Sequence, residues 1–420
     1  MIASRETLLS LLYRIGTIGF SFASVSCLIK SLGPAQYGAW ATLVSALAWI
    51  QMSDLGIGYV IKNRVAARED LTALCGHIAL AVRLSVVVGL TLALLYAFAG
   101  RSMSVVRDFP VESAYLYMTA FLCLPAMVGV NILQGLGQST VSFQATMVQG
   151  LAWLGVVLAL GDGATLRVLA VTFATLWFLS TSYTFLRGCR ALGIDRAALL
   201  PQLLRGPSLR QAVPLLRVGG AFFVLQLTGL VLFNLGTYLA YTSFSASAAA
   251  EYDILNKVFQ IPMTLFNVVI AIAWSAIATS ISRRDVPNVR RIHTQLLAAS
   301  VGGGLLILAI AVWAVPPFVH LYSHGQLTVE RLDVFWFAAQ IVVQMVAYAG
   351  AVFMNAAERL RIQIAFAIAS TAVFLPLFFA LKAHGLEIAA IPLATLLVVL
   401  PGTLFFNYYA RRHIIAAIAR

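Results

Sequence analysis

Apolar runs of about twenty residues recur along this chain, each closed by charged residues or by a glycine or proline turn. A helix needs roughly 20 apolar residues to cross the hydrocarbon core of a bilayer. On that measure the runs predict helices near residues 8–30, 37–61, 76–99, 113–135, 141–160 and 166–186. A second set is predicted near 216–242, 252–281, 295–318, 335–355, 363–381 and 387–410. The expectation is an all-α polytopic membrane protein of about 12 transmembrane helices. The longest stretch outside these runs, 187–213, is too small for a folded domain.

That stretch also divides the pattern. Residues 1–190 are expected to form an N-terminal six-helix bundle, 191–215 a basic cytoplasmic linker, and 216–420 a C-terminal six-helix bundle. LLRVGGAFF at 215–223 echoes LYRIGTIGF at 12–20, each placing an arginine and a glycine at the start of an apolar helix. Two halves related by an axis along the membrane normal, with a central cavity between them, are a common transporter plan.

Composition sharpens this picture. The 420 residues are 61% hydrophobic and 10% charged, against about 25% charged in an ordinary soluble domain. The net charge of +13 would suggest nucleic acid in a soluble protein. Here it follows the positive-inside bias. With the N-terminus inside, 19 loop lysines and arginines fall on the inner side and 6 on the outer, so both termini are expected in the cytoplasm. No nucleic-acid partner is expected. Cys27, Cys75, Cys123 and Cys189 are scattered without metal-type spacing, so they are read as packing residues, and neither a metal nor a cofactor is implied.

Polar residues inside the apolar runs carry the candidate chemistry. Arg14 and Arg83 lie about two turns inside the first and third helices, and Lys257 at the outer end of the eighth. Facing lipid at a helix centre, each would cost roughly 2.5 to 3.5 kcal/mol. Two readings remain open: snorkelling to a nearby interface, or a cationic, water-filled cavity. The second is favoured by polar stripes at helical spacing. Ser10, Arg14, Thr17, Ser21 and Ser24 share one face of the first helix, and Asp253, Asn256, Gln260, Thr264 and Asn267 one face of the eighth. The seventh offers Gln226, Asn234, Thr237 and Tyr241, and the tenth Gln340, Gln344, Tyr348 and Asn355. Unpaired amides cost several kcal/mol each in hydrocarbon, so Asn234, Asn256, Gln260, Asn267, Gln340 and Gln344 are taken as the lining of a polar, sugar-accepting interior. Asp54 either pairs with Arg14 or, with Glu251 and Asp253, serves ion coupling.

LGPAQYGAWATL at 32–43, DLGIG at 54–58, AEYDILNKVF at 250–259, WSAIATSISRRD at 274–285 and NAAERLRIQ at 355–363 occur in this order along the chain. Together they resemble the polysaccharide repeat-unit flippases of the multidrug, oligosaccharidyl-lipid and polysaccharide (MOP) transporter superfamily. In that pattern Gly33 and Pro34 make an outer turn, with Tyr37 and Trp40 at the membrane interface. The resemblance implies two six-helix bundles working by alternating access. The cargo would be a polyprenyl-diphosphate-linked oligosaccharide for O-antigen, capsule or exopolysaccharide assembly, moved from the cytoplasmic to the outer leaflet of a bacterial inner membrane. Arg14, Arg83 and Lys257 would hold the diphosphate, and H+ or Na+ would serve as the coupling ion. Polysaccharide polymerase and export machinery would be further partners. Many such flippases carry an acidic residue in the seventh helix, whereas 218–242 here contain no charge. The alternative is a cation-coupled drug or metabolite antiporter of the same superfamily. An enzyme is disfavoured because no large outer loop is expected to carry catalytic groups.

Overall fold

The computed structural model describes residues 5–66, 70–194, 209–357 and 360–418. The expected linker therefore lies mostly outside the described residues, as do Arg68, Arg196, Arg205, Arg359 and Arg420. No strand occurs among the described residues. Nine helices among them are long and apolar enough to cross a membrane, or ten if one bent pair is a single span. The chain is a multi-span helical membrane protein.

It divides into two compact units, Met1–Leu230 and Val231–Arg420. The division falls inside the helix expected to open the second half at 216. A physical reason is visible in the first unit, where Gly219 packs against the backbone of Leu55 and Gly56.

The first unit begins with α1 (Arg5–Gln51), which is interrupted at Gly33 (φ 76°, ψ 166°). That backbone region is essentially open only to glycine, and Pro34 follows it. A single glycine thus makes the turn expected between the first two helices. Tyr37 and Trp40, expected at the interface, are buried within the unit. Trp40 instead stacks on Trp153 at 5.5 Å between ring centroids. Aromatic pairing within the unit offers these rings more contact than a headgroup layer would.

The second helix, expected to run unbroken over 37–61, is broken. The chain leaves α1 after Gln51 and resumes as α2 (Ile57–Ala66). Leu55 (φ 55°) and Gly56 (φ 71°) are left-handed. Asp54 holds them there: its Oδ1 accepts from the Gly56 amide at 2.9 Å and its Oδ2 from the Gly58 amide at 3.1 Å. A short acidic side chain bonding its own backbone is strong turn chemistry. Here it overrides the apolar run in which it sits.

The unit continues with α3 (Leu71–Ala99), α4 (Ser104–Asp108), α5 (Pro110–Gly135), α6 (Ser139–Leu160) and α7 (Leu166–Ala191). Asp70 caps α3 by accepting from the Thr72 and Ala73 amides, and Thr165 caps α7 by accepting from Val168. Helix α5 packs on α7, α3 and α2, while α1 packs on α6. Helix α8 (Leu209–Asn234) closes the unit and runs into the next.

In the second unit α9 (Gly236–Ser243) is bent by 45° from the end of α8. It is followed by α10 (Ala246–Ser282), α11 (Val286–Tyr322), α12 (Arg331–Ala356), α13 (Leu360–Ala383) and α14 (Ala390–Tyr409). Helix α12 is central, packed against α10, α11 and α14. Phe353 on α12 is fully buried, and the His293 ring meets its edge at 5.1 Å.

Candidate functional site

The first unit encloses a cavity of about 700 Å³, within the range of small-molecule sites. Five wall segments meet there. The α1–α2 break turns Asp54 toward the cavity, with Gln51 before it and Lys62 two turns after. The last turns of α5 supply Asn131 and Gln134, three residues apart and so on one face. Helix α6 presents Ser142, Thr146 and Gln149, again at helical spacing. Helix α7 presents Trp177, Ser180, Thr181 and Thr184. Gln226 of α8 completes the wall.

Backing these polar groups is an aromatic floor. Phe173 lines the cavity and meets Trp40 and Trp153 edge-on at 5.6 and 5.1 Å. Phe143 forms another flank, and the Arg14 guanidinium lies over its ring, 4.2 Å from the centroid. Ser10 and Thr140 join α1 to α6 one turn away, at 3.1 Å. Arg14 thus rests on a ring of the wall and is itself exposed.

Asp54 is the one acidic residue on this wall among the described residues, and both its oxygens already accept backbone amides. The pairing with Arg14 weighed from the sequence is not seen, since Arg14 is placed on Phe143 instead. Asn131 reaches the same corner. A Cβ added to Gly58 would collide with Asn131 Nδ2 and stand 2.6 Å from Asp54 Oδ2. The missing side chain at 58 lets amide and carboxylate converge. The Gln226 Oε1 atom is buried and has no hydrogen-bond partner among the described residues. A buried acceptor without a donor is costly, and it points to a ligand that donates.

Of the residues expected from the sequence, Asp54 and Gln226 line this cavity and Arg14 borders it. Arg83 lies half-buried on α3 and is not on its wall. In the second unit Lys257 is paired with Asp253, four residues earlier on α10. Lys257, expected as a cavity cation, thus has a carboxylate partner on its own helix. Glu251 is half-buried one turn earlier than Leu255 on the same helix, while Gln260 and Asn267 are exposed. Asn234, Asn256 and Gln340 are half-buried, and Gln344, 5% exposed, donates to the Tyr348 hydroxyl at 3.3 Å. These amides sit in the other unit from the cavity. Gln51, Asn131, Gln134, Gln149 and Trp177 were missed, though Ser142, Thr146 and Gln149 form the same kind of stripe that singled out the first and eighth helices.

No family model matches the chain, and no curated protein matches it. Solved structures do. The chain is similar in fold to an inward-facing multidrug resistance MATE family transporter of the MOP superfamily, at TM-score 0.77 and 16% identity over 98% of both chains. It is similar to a MOP superfamily transporter from Pyrococcus furiosus, described as having a binding pocket of reversed polarity, at TM-score 0.66 and 16% identity over 99% and 97% of the two chains. A mutant form of the Vibrio cholerae MATE transporter VcmN aligns at TM-score 0.62 and 14% identity over 98% and 97%. The chain has the fold of the MOP superfamily transporters. Within that fold, MATE transporters are its structural neighbours.

Proposed function

We propose that this protein is a flippase that carries polyprenyl-diphosphate-linked oligosaccharide from the cytoplasmic to the outer leaflet of a bacterial inner membrane. It would work by alternating access of two six-helix bundles, with 12 spans in all and both termini cytoplasmic. The observation that carries the reading is the cavity of the first unit. Its amides and hydroxyls offer donors and acceptors, the Gln226 Oε1 atom lacks a donor, and Phe173 and Trp177 offer flat apolar faces. Sugars present both hydroxyls and apolar ring faces, so this lining suits them. Lys62 on the wall and Arg14 on the ring of Phe143 supply positive charge for a diphosphate. Arg83 and Lys257 are proposed as further cations along the path, and Asn234, Asn256, Gln260, Asn267, Gln340 and Gln344 as later sugar contacts. Asp54, Glu251 and Asp253 remain proposed ion-coupling residues.

The second reading is a cation-coupled drug antiporter, favoured by the multidrug MATE neighbours and by Asp54 on the cavity wall. Proteoliposomes separate the two. Purified protein should move a diphosphate-linked N-acetylglucosamine lipid to the opposite leaflet, read by its accessibility to an external lectin. Absence of that movement, together with gradient-driven uptake of a cationic dye, would replace the first reading by the second.

A further inference from the structure

A second, apolar hollow of about 330 Å³ lies between α6 and α7. Val148 and Ala152 of α6 and Leu176, Leu179 and Tyr183 of α7 line it, with the exposed Gln144 one turn before Val148. Val148, Leu179 and Tyr183 are 53%, 58% and 47% exposed, on helices that are candidate membrane spans. At 1.5 Å per residue, Val148 and Ala152 stand about 14 and 20 Å from the start of α6. A core about 30 Å thick puts both at hydrocarbon depth. The hollow is therefore a lipid-facing groove.

Its back wall gives it a use. Gln149 and Ser180 line this groove and also the polar cavity. The two spaces share those two side chains, one per helix. A polar solute alone fits the cavity and not the groove, while a bilayer lipid chain alone fits the groove and has no reason to meet the amides. An amphiphile with a hydroxyl-rich head and a hydrocarbon chain fits both.

Resting on the flippase reading, we propose that the α6–α7 groove holds the hydrocarbon chain of the lipid-linked sugar while its head occupies the cavity. Gln149 and Ser180 form the sill between them. The chain then stays in apolar surroundings while the head is held among the amides, so neither part crosses an unsuitable medium. The head enters sideways from the leaflet, between two helices of one unit.

The test uses the full-length protein in phosphatidylethanolamine and phosphatidylglycerol liposomes. The probe is a short-chain polyprenyl diphosphate N-acetylglucosamine with a diazirine on its chain and a radiolabelled head. Head binding is read by filtration and chain position by mapping the photo-adducts. Adducts should concentrate on Val148, Leu179 and Tyr183 over the exposed Leu90 and Leu94 of α3. Excess unlabelled sugar lipid should suppress them and excess phosphatidylglycerol should not. Ala152→Trp, or Val148→Trp where the first fails to fold, should abolish the groove adducts, whereas Leu94→Trp should leave them. Bound head with adducts spread evenly over lipid-facing helices would overturn the groove assignment and leave the flippase reading standing. Equal competition by phosphatidylglycerol would mean the groove holds ordinary bilayer lipid, with the same consequence. Failure of the head to bind would sink both.

Discussion

Replacing Gly56 by alanine tests whether the α1–α2 break is clamped to α8 as the structure shows. Two costs fall on one methyl group. Gly56 has φ 71°, and a left-handed L-residue costs roughly 1 to 2 kcal/mol. The added Cβ would also overlap the carbonyl oxygen of Gly219, a helix backbone atom that cannot rotate away. From the other side, a Cβ on Gly219 would stand 2.7 Å from the Leu55 carbonyl oxygen. Overpacking of this kind costs about 1 to 3 kcal/mol. Gly56→Ala should therefore destabilise the protein by about 2 to 5 kcal/mol. Two controls isolate the terms. Gly33→Ala meets no atom within 4 Å but keeps a φ of 76°, so it should lose only the conformational part, about 1 to 3 kcal/mol. Gly220→Ala sits in helix with open space around it and should be neutral or stabilising by up to about 1 kcal/mol. Unfolding in mixed detergent micelles, followed by tryptophan fluorescence, ranks the three. If Gly56→Ala proves as stable as Gly220→Ala, the close approach of the break to α8 is refuted.

Asp54→Ala leaves the Gly56 and Gly58 amides without acceptors and should cost about 1 to 3 kcal/mol for each that stays buried. Asp54→Asn retains one acceptor and should fold better than Asp54→Ala, so transport by a stable Asp54→Asn protein that still depends on the ion gradient would remove the carboxylate from coupling. Gln226→Leu removes an unpaired buried oxygen, so stability should hold or rise while sugar-lipid affinity falls by about 1 kcal/mol, several-fold, in a binding assay. Unchanged affinity would take Gln226 out of the site. Arg14→Ala should leave the protein inserted but weaken diphosphate binding by about 1.5 to 3 kcal/mol, or tenfold and more, and normal export by that variant would return Arg14 to a snorkelling role. Accessibility tags after Arg187 and Arg284 should report cytoplasm and a tag at Gln36 the opposite side. Gln36 and Arg284 on one side would break the 12-span threading.

The helices were legible because hydropathy sums transfer free energy over some twenty residues, and that sum dominates whether a segment enters lipid. Its blind spot is backbone geometry inside a run. DLGIG at 54–58 reads as apolar on average, yet its Asp and Gly at two-residue spacing are turn chemistry. Averaging over a window erased that signal, and the structure shows a break there. Gly33 and Pro34 were read correctly as a turn because two residue types agreed at one point. The packing of Trp40 was not legible for a related reason: an aromatic near a span's end fits both an interface and an interior. Only the positions of Trp153 and Phe173, far along the chain, decide between them.

The site was legible only in kind. Amides at helical spacing inside apolar runs do mark polar interiors, as Gln226 shows. Spacing alone, however, tells which residues share a face and not which face meets which. The stripe of Asp253, Asn256 and Gln260 looked richer than that of Ser142, Thr146 and Gln149 because its side chains are larger. Yet Asp253 and Lys257 satisfy one another along α10, and Gln344 and Tyr348 do so along α12. A large polar group with a partner four residues away on its own helix is in part satisfied before any ligand binds. By contrast, the small hydroxyls of α6 and α7 bond back to their own carbonyls, as Ser142 and Thr146 do, and leave room beside the backbone. Room is what a ligand requires. The weaker-looking stripe therefore lines the cavity of the first unit, and Gln149, the one long amide within it, also lines the hollow between α6 and α7.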